Sequence, residues 1–378
     1  MKIKMQQFFA KNHSWSVVGQ GLARGFKSAG HNVEIFSTNG IELFPDDLKE
    51  NIIGYVEENK PQLYGRAPSG EYDMQFSYTS MKNFPMYLLH GNKNRIGLWC
   101  YEWPALNGNT LPTGFAKHHI SCDWLCPPSE IAKRVFIEAK ISAEKMKVIP
   151  HGIVADDYRK TTTLKLPTNK KFKIGVVLGQ NHKRKNIPGM LKAYGEAFTN
   201  KDDVCLIIKG KEKQIANTFD VSLMDCLNNF NKLYPKHAEL KIMSDFIIDM
   251  SNFYRSIDAT YTMSHTESFY LCALESMASG KLSIAPNWGG QVDFLNSTNS
   301  LLIEGKETRA DPSSMYWEQR NNAIWFQPSI DDAVDKLRYA YNNFEIMNSV
   351  IEKDREKVYE KYDWSNISKQ YLDLCKAV

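Results

Sequence analysis

Short apolar runs alternate with amphipathic stretches along this chain. The alternation breaks once, over residues 160–171 (KTTTLKLPTNKK), which are polar, hold a proline and show no period. Such alternation selects a parallel sheet covered by helices, because a helix that carries the chain back across the sheet brings the next strand in parallel. A break near the middle selects two such sheets. With 378 residues the chain is too long for one ordinary core and suits two domains. The expected class is therefore α/β, with two doubly wound domains facing across a cleft and divided at residues 162 and 163.

In the first half, Leu22, Phe26 and Ala29 recur at helical spacing and place a helix over 19–29, stopped by Gly30-His31. Residues 32–36 (NVEIF) read as a strand, as do 95–100, 124–126 and 146–149. Ser129 is the expected N-cap of a helix to about residue 139, its hydroxyl accepting from an otherwise orphan N–H. In the second half, strands are expected at 172–178, 204–209, 259–263 and 282–285. Helices are expected at 187–198, 269–279, 330–343, 344–362 and 366–377, with Gly280 closing the second of these from the C′ position. Ligands of such sheets bind beyond the carboxyl ends of the strands, so the cleft between the domains is the expected site.

Composition narrows the function classes. At 43% hydrophobic and 12% aromatic, the chain can bury a core. A net charge of +4 fits a protein that handles anionic metabolites and falls far short of a dedicated nucleic-acid binder. Among seven cysteines, Cys122 and Cys126 are four apart, but no second Cys or His cluster completes a zinc site. Buried reduced thiols are expected there. The opening residues (MKIKMQQFFAKNHSW) lack the apolar run of a signal peptide, and no segment approaches the roughly 20 apolar residues of a membrane span. The expected location is cytoplasmic, or at most peripheral to a membrane, as a monomer or homodimer.

The chemistry concentrates in residues 264–295 (SHTESFYLCALESMASGKLSIAPNWGGQVDFL), where Glu267 stands just before a helix and Glu275 lies within it. Eight residues of helix span roughly 12 Å. Between the carboxylates, the N–H groups of Phe269, Tyr270 and Leu271 are expected to form an open helix end that suits an anion. Sugar, diphosphate and ribose follow one another in a nucleotide-sugar with this same layout. One carboxylate accepts from sugar hydroxyls, the helix end takes the diphosphate, and the second carboxylate accepts from the ribose diol. Taken alone, the spacing is equally that of two solvated glutamates on an ordinary helix.

The register of the neighbours decides between these readings. The segment resembles the donor motif of the family 4 retaining glycosyltransferases of the GT-B fold, close to EGFGLPxLEAMAxGxPVIA followed by a GG turn. Glu267, Phe269, Leu274, Glu275, Met277, Ala278, Gly280, Ile284, Ala285 and Gly289-Gly290 fall in register without a gap. Ser268 and Tyr270 replace two glycines of the motif, and Cys272 replaces a proline. A side chain at 270 narrows the expected sugar pocket, so the donor sugar stays open. Residues 179–186 (GQNHKRKN) resemble the family's G-R-x4-K-G/N loop: Lys185 aligns with its phosphate-binding lysine, Gln180 replaces its arginine, and Lys183 or Arg184 could restore the lost charge. Lys209, closing the strand VCLIIK, resembles a strand end near the nucleotide base.

The first half resembles the family more loosely. Residues 14–21 (SWSVVGQG) look like its opening small-residue loop, which makes Ser16 and Gly19 candidates for facing the diphosphate and acceptor. LWCYEWPAL, DWLCPPSEIAKRVF and KMKVIPHGI resemble a subgroup pattern in which Glu102 either contacts the acceptor or forms a structural ion pair. His90, His118 and His119 are weaker candidates for the cleft, His151 belongs to a turn, and Trp288 lines the sugar pocket or packs.

The resemblance implies two Rossmann-like domains, residues 163–355 holding the donor and 356–378 returning as a helix to 1–162. It further implies a hexosyltransferase-like enzyme that moves a sugar from a UDP-, GDP- or ADP-sugar to a hydroxyl of a glycan, lipid or small molecule. Retention and independence of a metal or other cofactor are implied with it. Glu267 and Lys185 would be catalytic, and Gln180, Arg184, Lys209, Ser268, Phe269, Tyr270, Leu271 and Glu275 would bind the donor. Cleft closure on donor binding belongs to the same expectation. Two alternatives stand beside it. In one the acceptor is a base of viral DNA, which needs a basic stripe such as Lys133, Arg134, Lys140, Lys145 and Lys147 could offer. In the other the protein is a binding module or epimerase on the same fold, the reading that Gln180 favours.

Overall fold

The structure is a computed structural model, and the residues it describes are 1–9, 14–38, 40, 44–57, 60–65, 70–78, 94–111, 114–179, 181–210, 220–245, 247–314 and 322–376. In chain order the described elements begin with β1 (Lys2–Gln7), α1 (Ser14–Ser28), β2 (Asn32–Ser37), β3 (Ile52–Glu57), β4 (Lys60–Gly65), β5 (Met74–Tyr78) and β6 (Arg95–Leu98). They continue through β7 (Trp124–Cys126), α2 (Glu130–Glu138), α3 (Ala155–Arg159), β8 (Phe172–Val177), α4 (Ile187–Ala197), β9 (Val204–Lys209), α5 (Leu223–Leu233) and β10 (Glu239–Met243). Next come α6 (Met250–Ser256), β11 (Ala259–Tyr261), α7 (Leu271–Ala278), β12 (Leu282–Pro286), β13 (Ser300–Ile303), β14 (Gly305–Arg309) and β15 (Ile324–Pro328). Three helices close the series: α8 (Ile330–Lys353), α9 (Arg355–Tyr362) and α10 (Trp364–Leu374). No helix among the described residues is long and apolar enough to cross a membrane.

The chain divides into two compact units. Unit 1 comprises Met1–Tyr101, Leu111–Val154 and Glu360–Val378, and unit 2 comprises Glu102–Thr110 and Ala155–Tyr359. The passage from one unit to the other thus falls at Val154, ahead of the polar break. A short excursion, Glu102–Thr110, also leaves unit 1 for unit 2.

Unit 1 is built on a seven-stranded sheet in the order β4-β3-β2-β1-β5-β6-β7, parallel except for the β3–β4 pair. Its central strand β1 has no counterpart in the sequence reading, because Lys4, Gln6 and Gln7 interrupt its apolar pattern; all three are buried. The stretch 146–149 makes only an isolated bridge, Met146 to Leu125, at the sheet edge. Ser129 caps α2 as expected, accepting from Ala132 N at 3.3 Å.

Helix α1 starts at Ser14, five residues earlier than the apolar spacing suggests. Its small residues read as a loop, yet each glycine makes room for a neighbour. A Cβ on Gly19 would stand 1.6 Å from Gln7 Nε2, on Gly21 2.1 Å from Trp364 Nε1, and on Gly25 2.5 Å from Ser368 Oγ. Through the last two, α10 packs directly on α1 within unit 1, and Tyr371 of α10 meets Phe76 edge-on at 5.4 Å.

Unit 2 carries an all-parallel six-stranded sheet in the order β10-β9-β8-β11-β12-β13. Numbered within the unit, that is the doubly wound order 3-2-1-4-5-6, whose reversal of winding lies between β8 and β11. Ile174, Val176, Leu206, Ile208, Leu191, Tyr194 and Leu337 fill the core beneath α4 and α8. Helix α8 runs unbroken through residue 343, where two helices were expected. A two-stranded antiparallel pair, β14–β15, stands apart from the main sheet.

Replacing Gly21 by alanine forces Trp364 out of its place against α1 and is expected to destabilise unit 1 by about 2 kcal/mol. A lowered denaturation midpoint, read by tryptophan fluorescence, checks it. An unchanged midpoint would mean that the α1–α10 contact does not hold the unit together.

Candidate active site

The two strands that flank the reversal of winding deliver their following loops to one place. After β8 the chain makes a tight turn at Lys183–Lys185. His182 caps this turn, its Nδ1 accepting from Arg184 N at 3.2 Å. Burial, aided by the charges of Arg184 and Lys185, lowers the His182 pKa to about 3. The ring is therefore neutral at physiological pH and keeps a lone pair for this bond. Asn186 follows in a left-handed conformation, φ 50°, and its side chain accepts from Gly189 N to start α4. Gln180 lies outside the described residues.

After β11 the chain forms a second loop tied to the first, with His265 N donating to Arg184 O at 2.7 Å. Glu267 is 6% exposed, and its carboxylate is gripped from two sides. Lys185 Nζ lies 2.6 Å from its Oε1 and an Arg184 terminal nitrogen 2.8 Å from its Oε2. The same Arg184 nitrogen donates to Thr266 O at 3.0 Å. Burial works to raise the Glu267 pKa, but the two adjacent cations outweigh it and hold the carboxyl at about 2. The Glu267 carbonyl accepts from Gly290 N at 2.8 Å. A Cβ on Gly290 would stand 2.3 Å from Ser268 O, so the GG turn exists to let two backbones touch.

Glu102 joins this cluster as a member of unit 2, although the sequence reading placed it in the first domain. Its segment is fastened along β15: Ala105 bridges Ala323, Ile324 N donates to Pro104 O at 2.9 Å, and Trp103 stacks on Trp325 at 6.1 Å. Thr266 Oγ1 donates to the Glu102 carbonyl. The Glu102 carboxylate lies 3.1 Å from Arg184 Nε. Burial pushes its pKa up, Arg184 pulls it down, and the Glu267 charge pushes it up again. An ion pair, one of the two roles expected for Glu102, is thus formed with Arg184.

Helix α7 begins at Leu271 rather than Phe269. Tyr270 is the reason: it sits in the left-handed region at φ 69°, which ends the helix there, and its side chain makes no capping hydrogen bond. This is a position where the resembled motif has glycine, and for a tyrosine it stores strain of about 1 kcal/mol or more. Phe269, expected at the open helix end, is instead buried and packs on Phe294 with ring centres 5.1 Å apart. Ser268 remains half-buried beside it. At the other end, Gly280 N bonds Met277 O and Lys281 N bonds Ser276 O, the paired bonds of a glycine stop at φ 68°.

Glu275 projects from the middle of α7. Burial pushes its carboxyl up to about 7, opposed by the phenols of Tyr254 on α6 and Tyr158 on α3 and assisted by the Asp249 charge. Neither tyrosine had a signal in the sequence, since neither lies in a motif and only the fold brings them to Glu275. Lys209 ends β9, half-buried, with its carbonyl accepting from Leu178 N at 2.8 Å.

The other candidates have contacts of their own. Ser16 and Gly19 lie inside α1 of unit 1, not in a loop before it, and Gly19 is occupied by its contact with Gln7. Trp288 stacks on Phe326 and donates to Glu307 Oε1 at 3.0 Å. His118 stacks on Phe115 and His119 bonds Ala116 O, both local contacts in unit 1. His151 is buried there, with its pKa lowered by burial to about 3, and His90 lies outside the described residues. Cys122 and Cys126 are buried free thiols. Lys183 bonds Ser313 Oγ at 2.8 Å on the surface.

The two glutamates of the motif have opposite pH linkage. Glu267, at about 2 in the fold against an ordinary 4.5, contributes stability at neutral pH that is lost as pH falls through 4.5 toward 2. For Glu275, at about 7, the folded state binds the proton more tightly, so stability declines as pH rises from 4.5 to 7. Glu275→Gln is expected to flatten the melting temperature between pH 5 and about 7 relative to wild type. Parallel melting profiles for the two proteins would refute the burial of that carboxyl.

Comparison with known proteins bears on the family and the fold. Residues 159–357, more than half of the chain, match the family model for glycosyl transferases group 1. A lipopolysaccharide 1,2-N-acetylglucosaminetransferase of Salmonella typhimurium is 23% identical over 265 residues. That alignment takes in 66% of this chain and 61% of the relative, so the chain spans less than two thirds of the relative's length. Among solved structures, a glycosyltransferase from Rickettsia africae has a TM-score of 0.70 at 17% identity, covering 100% of this chain and 98% of its own. HepE of Anabaena, solved in complex with UDP-glucose, has a TM-score of 0.70 at 14% identity, with 100% of both chains covered. These likenesses carry the two-sheet GT-B fold, and the match over the second unit carries the family. The chain belongs to the glycosyl transferases group 1 family.

Proposed function

We propose that this protein transfers a sugar from a nucleotide-diphosphate-sugar to a hydroxyl acceptor, with retention of anomeric configuration and with side-chain cations serving the leaving diphosphate. The observation that supports this most is the grip of Arg184 and Lys185 on Glu267 at the reversal of winding in unit 2. Sugar transfer from such a donor breaks the bond between the anomeric carbon and a phosphate oxygen, and negative charge grows on the departing diphosphate. Two cations and the uncapped start of α7 are preorganised donors for that charge. Glu267, ionised far below neutral pH, is an acceptor for sugar hydroxyls, and Glu275 for the ribose diol. Loss of the acceptor's proton is assisted by the departing phosphate, so no separate base is required.

The relatives support the same reading. HepE is solved with UDP-glucose, and the Salmonella relative is named for transfer of N-acetylglucosamine in lipopolysaccharide. A glycan or lipid hydroxyl is the favoured acceptor. Tyr270 in place of a motif glycine restricts the sugar side of the site, and it is the residue to vary when the donor sugar is sought.

Turnover is to be measured with UDP-, GDP- and ADP-sugars by release of the nucleotide diphosphate. Lys185→Ala is expected to lower kcat by about 100-fold or more, the usual loss when a preorganised donor to a developing charge is removed. Glu267→Ala is expected to do the same, and full turnover in that variant would sink the site assignment. An α-linked donor should yield an α-linked product by NMR, with the rate unchanged by a chelator. An inverted product, or loss of activity to the chelator, would refute retention or metal independence respectively.

A further inference from the structure

Arg184 does not serve Glu267 alone. Its Nε lies 3.1 Å from Glu102 Oε1, and a terminal nitrogen lies 2.8 Å from Glu267 Oε2. Lys185 touches Glu267 at 2.6 Å. Two cations therefore face two carboxylates in a largely buried cluster, with side-chain exposures of 21% for Arg184, 16% for Lys185, 17% for Glu102 and 8% for Glu267. The cluster is balanced as it stands. A diphosphate diester adds two further negative charges to it, and surplus charge in a partly buried site is unfavourable unless something is neutralised.

We infer that Glu102 is a competitor for the donor's diphosphate: it holds Arg184 before the donor binds, and releases it by taking a proton from solvent when the diphosphate arrives. This rests on the donor-site reading above and adds to it a residue from outside the family motif. Three features single out Glu102 rather than Glu267 as the group that yields. Among the described residues, Glu267 is gripped by two cations and Glu102 by one. Among the described residues, the charged groups facing Glu102 are Arg184 and Lys185 from the loop after β8 and Glu267 from the loop after β11, so once Arg184 turns to phosphate a like charge dominates. Finally, Glu102 is fixed through its backbone, by Thr266 Oγ1 on its carbonyl and by its segment's pairing along β15. Its side chain can release Arg184 without the segment moving.

The step balances simply: one carboxylate accepts one proton and becomes a neutral carboxyl, and the Arg184 ion pair passes from carboxylate to phosphate. Donor binding is then linked to proton uptake and tightens as pH falls. Release of the diphosphate product is favoured as the proton is given back.

Calorimetric titration of UDP-glucose into the full-length protein tests this, since a diphosphate diester does not itself titrate near neutral pH. GDP- and ADP-glucose serve as parallel probes, and two buffers of different ionisation enthalpy report proton uptake. Wild type is expected to take up a proton and to bind more weakly as pH rises from about 5.5 to 8. Glu102→Gln is expected to bind about tenfold tighter at pH 8, with no proton uptake and a flat pH profile. Glu102→Asp, which keeps the charge, is expected to retain both, and melting curves confirm that each variant is folded. Uridine, which lacks the diphosphate, should distinguish none of the variants. Equal or weaker donor binding by Glu102→Gln, or proton uptake that persists in it, overturns the inference and leaves the donor site standing. Failure of all three nucleotide-sugars to bind every variant removes the donor site itself.

Discussion

The structure of unit 2 around its functional end depends on burying Glu267 as a charged group. An isolated carboxylate at 6% exposure would not stay ionised, because the lost hydration costs several kcal/mol. Arg184 and Lys185 compensate that cost, and both come from the other loop. The loops after β8 and β11 are thus coupled by charge as well as by the His265–Arg184 backbone bond. Everything that fixes Arg184 and Lys185, from the neutral His182 cap to the left-handed Asn186, fixes Glu267 as well. Such a site keeps its shape through several constraints at once, and it can therefore tolerate the strained Tyr270 beside it.

Sheet topology determines why that pairing happens where it does. In the order β10-β9-β8-β11-β12-β13, adjacent strands β8 and β11 are followed by connections that leave in opposite directions. The loops directly beyond their carboxyl ends therefore lie side by side, as the His265–Arg184 backbone bond shows. A basic turn after one strand and an acidic residue after the other then meet with little further specification. The GG turn completes the arrangement by bringing Gly290 against the backbone of Ser268.

Much of unit 2 was legible in the sequence, because β8, β9 and β12 are continuous apolar runs between clear helical stretches. Lys185 and Glu267 align with two separate motifs of one family, and their ion pair became visible only in the fold. Unit 1 was harder to read, and for a physical reason. Its central strand buries Lys4, Gln6 and Gln7, and its first helix is rich in glycine, so period and composition both point away from the elements that form. Glu102 was misplaced because nothing local distinguishes a segment that crosses to pair with β15 from one that stays. Tyr158 and Tyr254 were invisible, since only tertiary packing brings them to Glu275.

Three glutamates of similar intrinsic acidity are thereby set to different tasks by their surroundings. Two cations keep Glu267 ionised at any physiological pH, so it can only accept hydrogen bonds. Glu275, raised by burial to about 7 in spite of two phenols, can only accept when ionised and carries its own donor when protonated. Glu102 lies between these extremes, with one cation and one like charge as neighbours. In the function proposed above, that separation of acidities serves one carboxylate that accepts from the sugar, one that accepts from the ribose and one that shares an arginine with the diphosphate. The sequence supplies three identical side chains, and the differences among them come from the cations, phenols and burial that the fold brings to each.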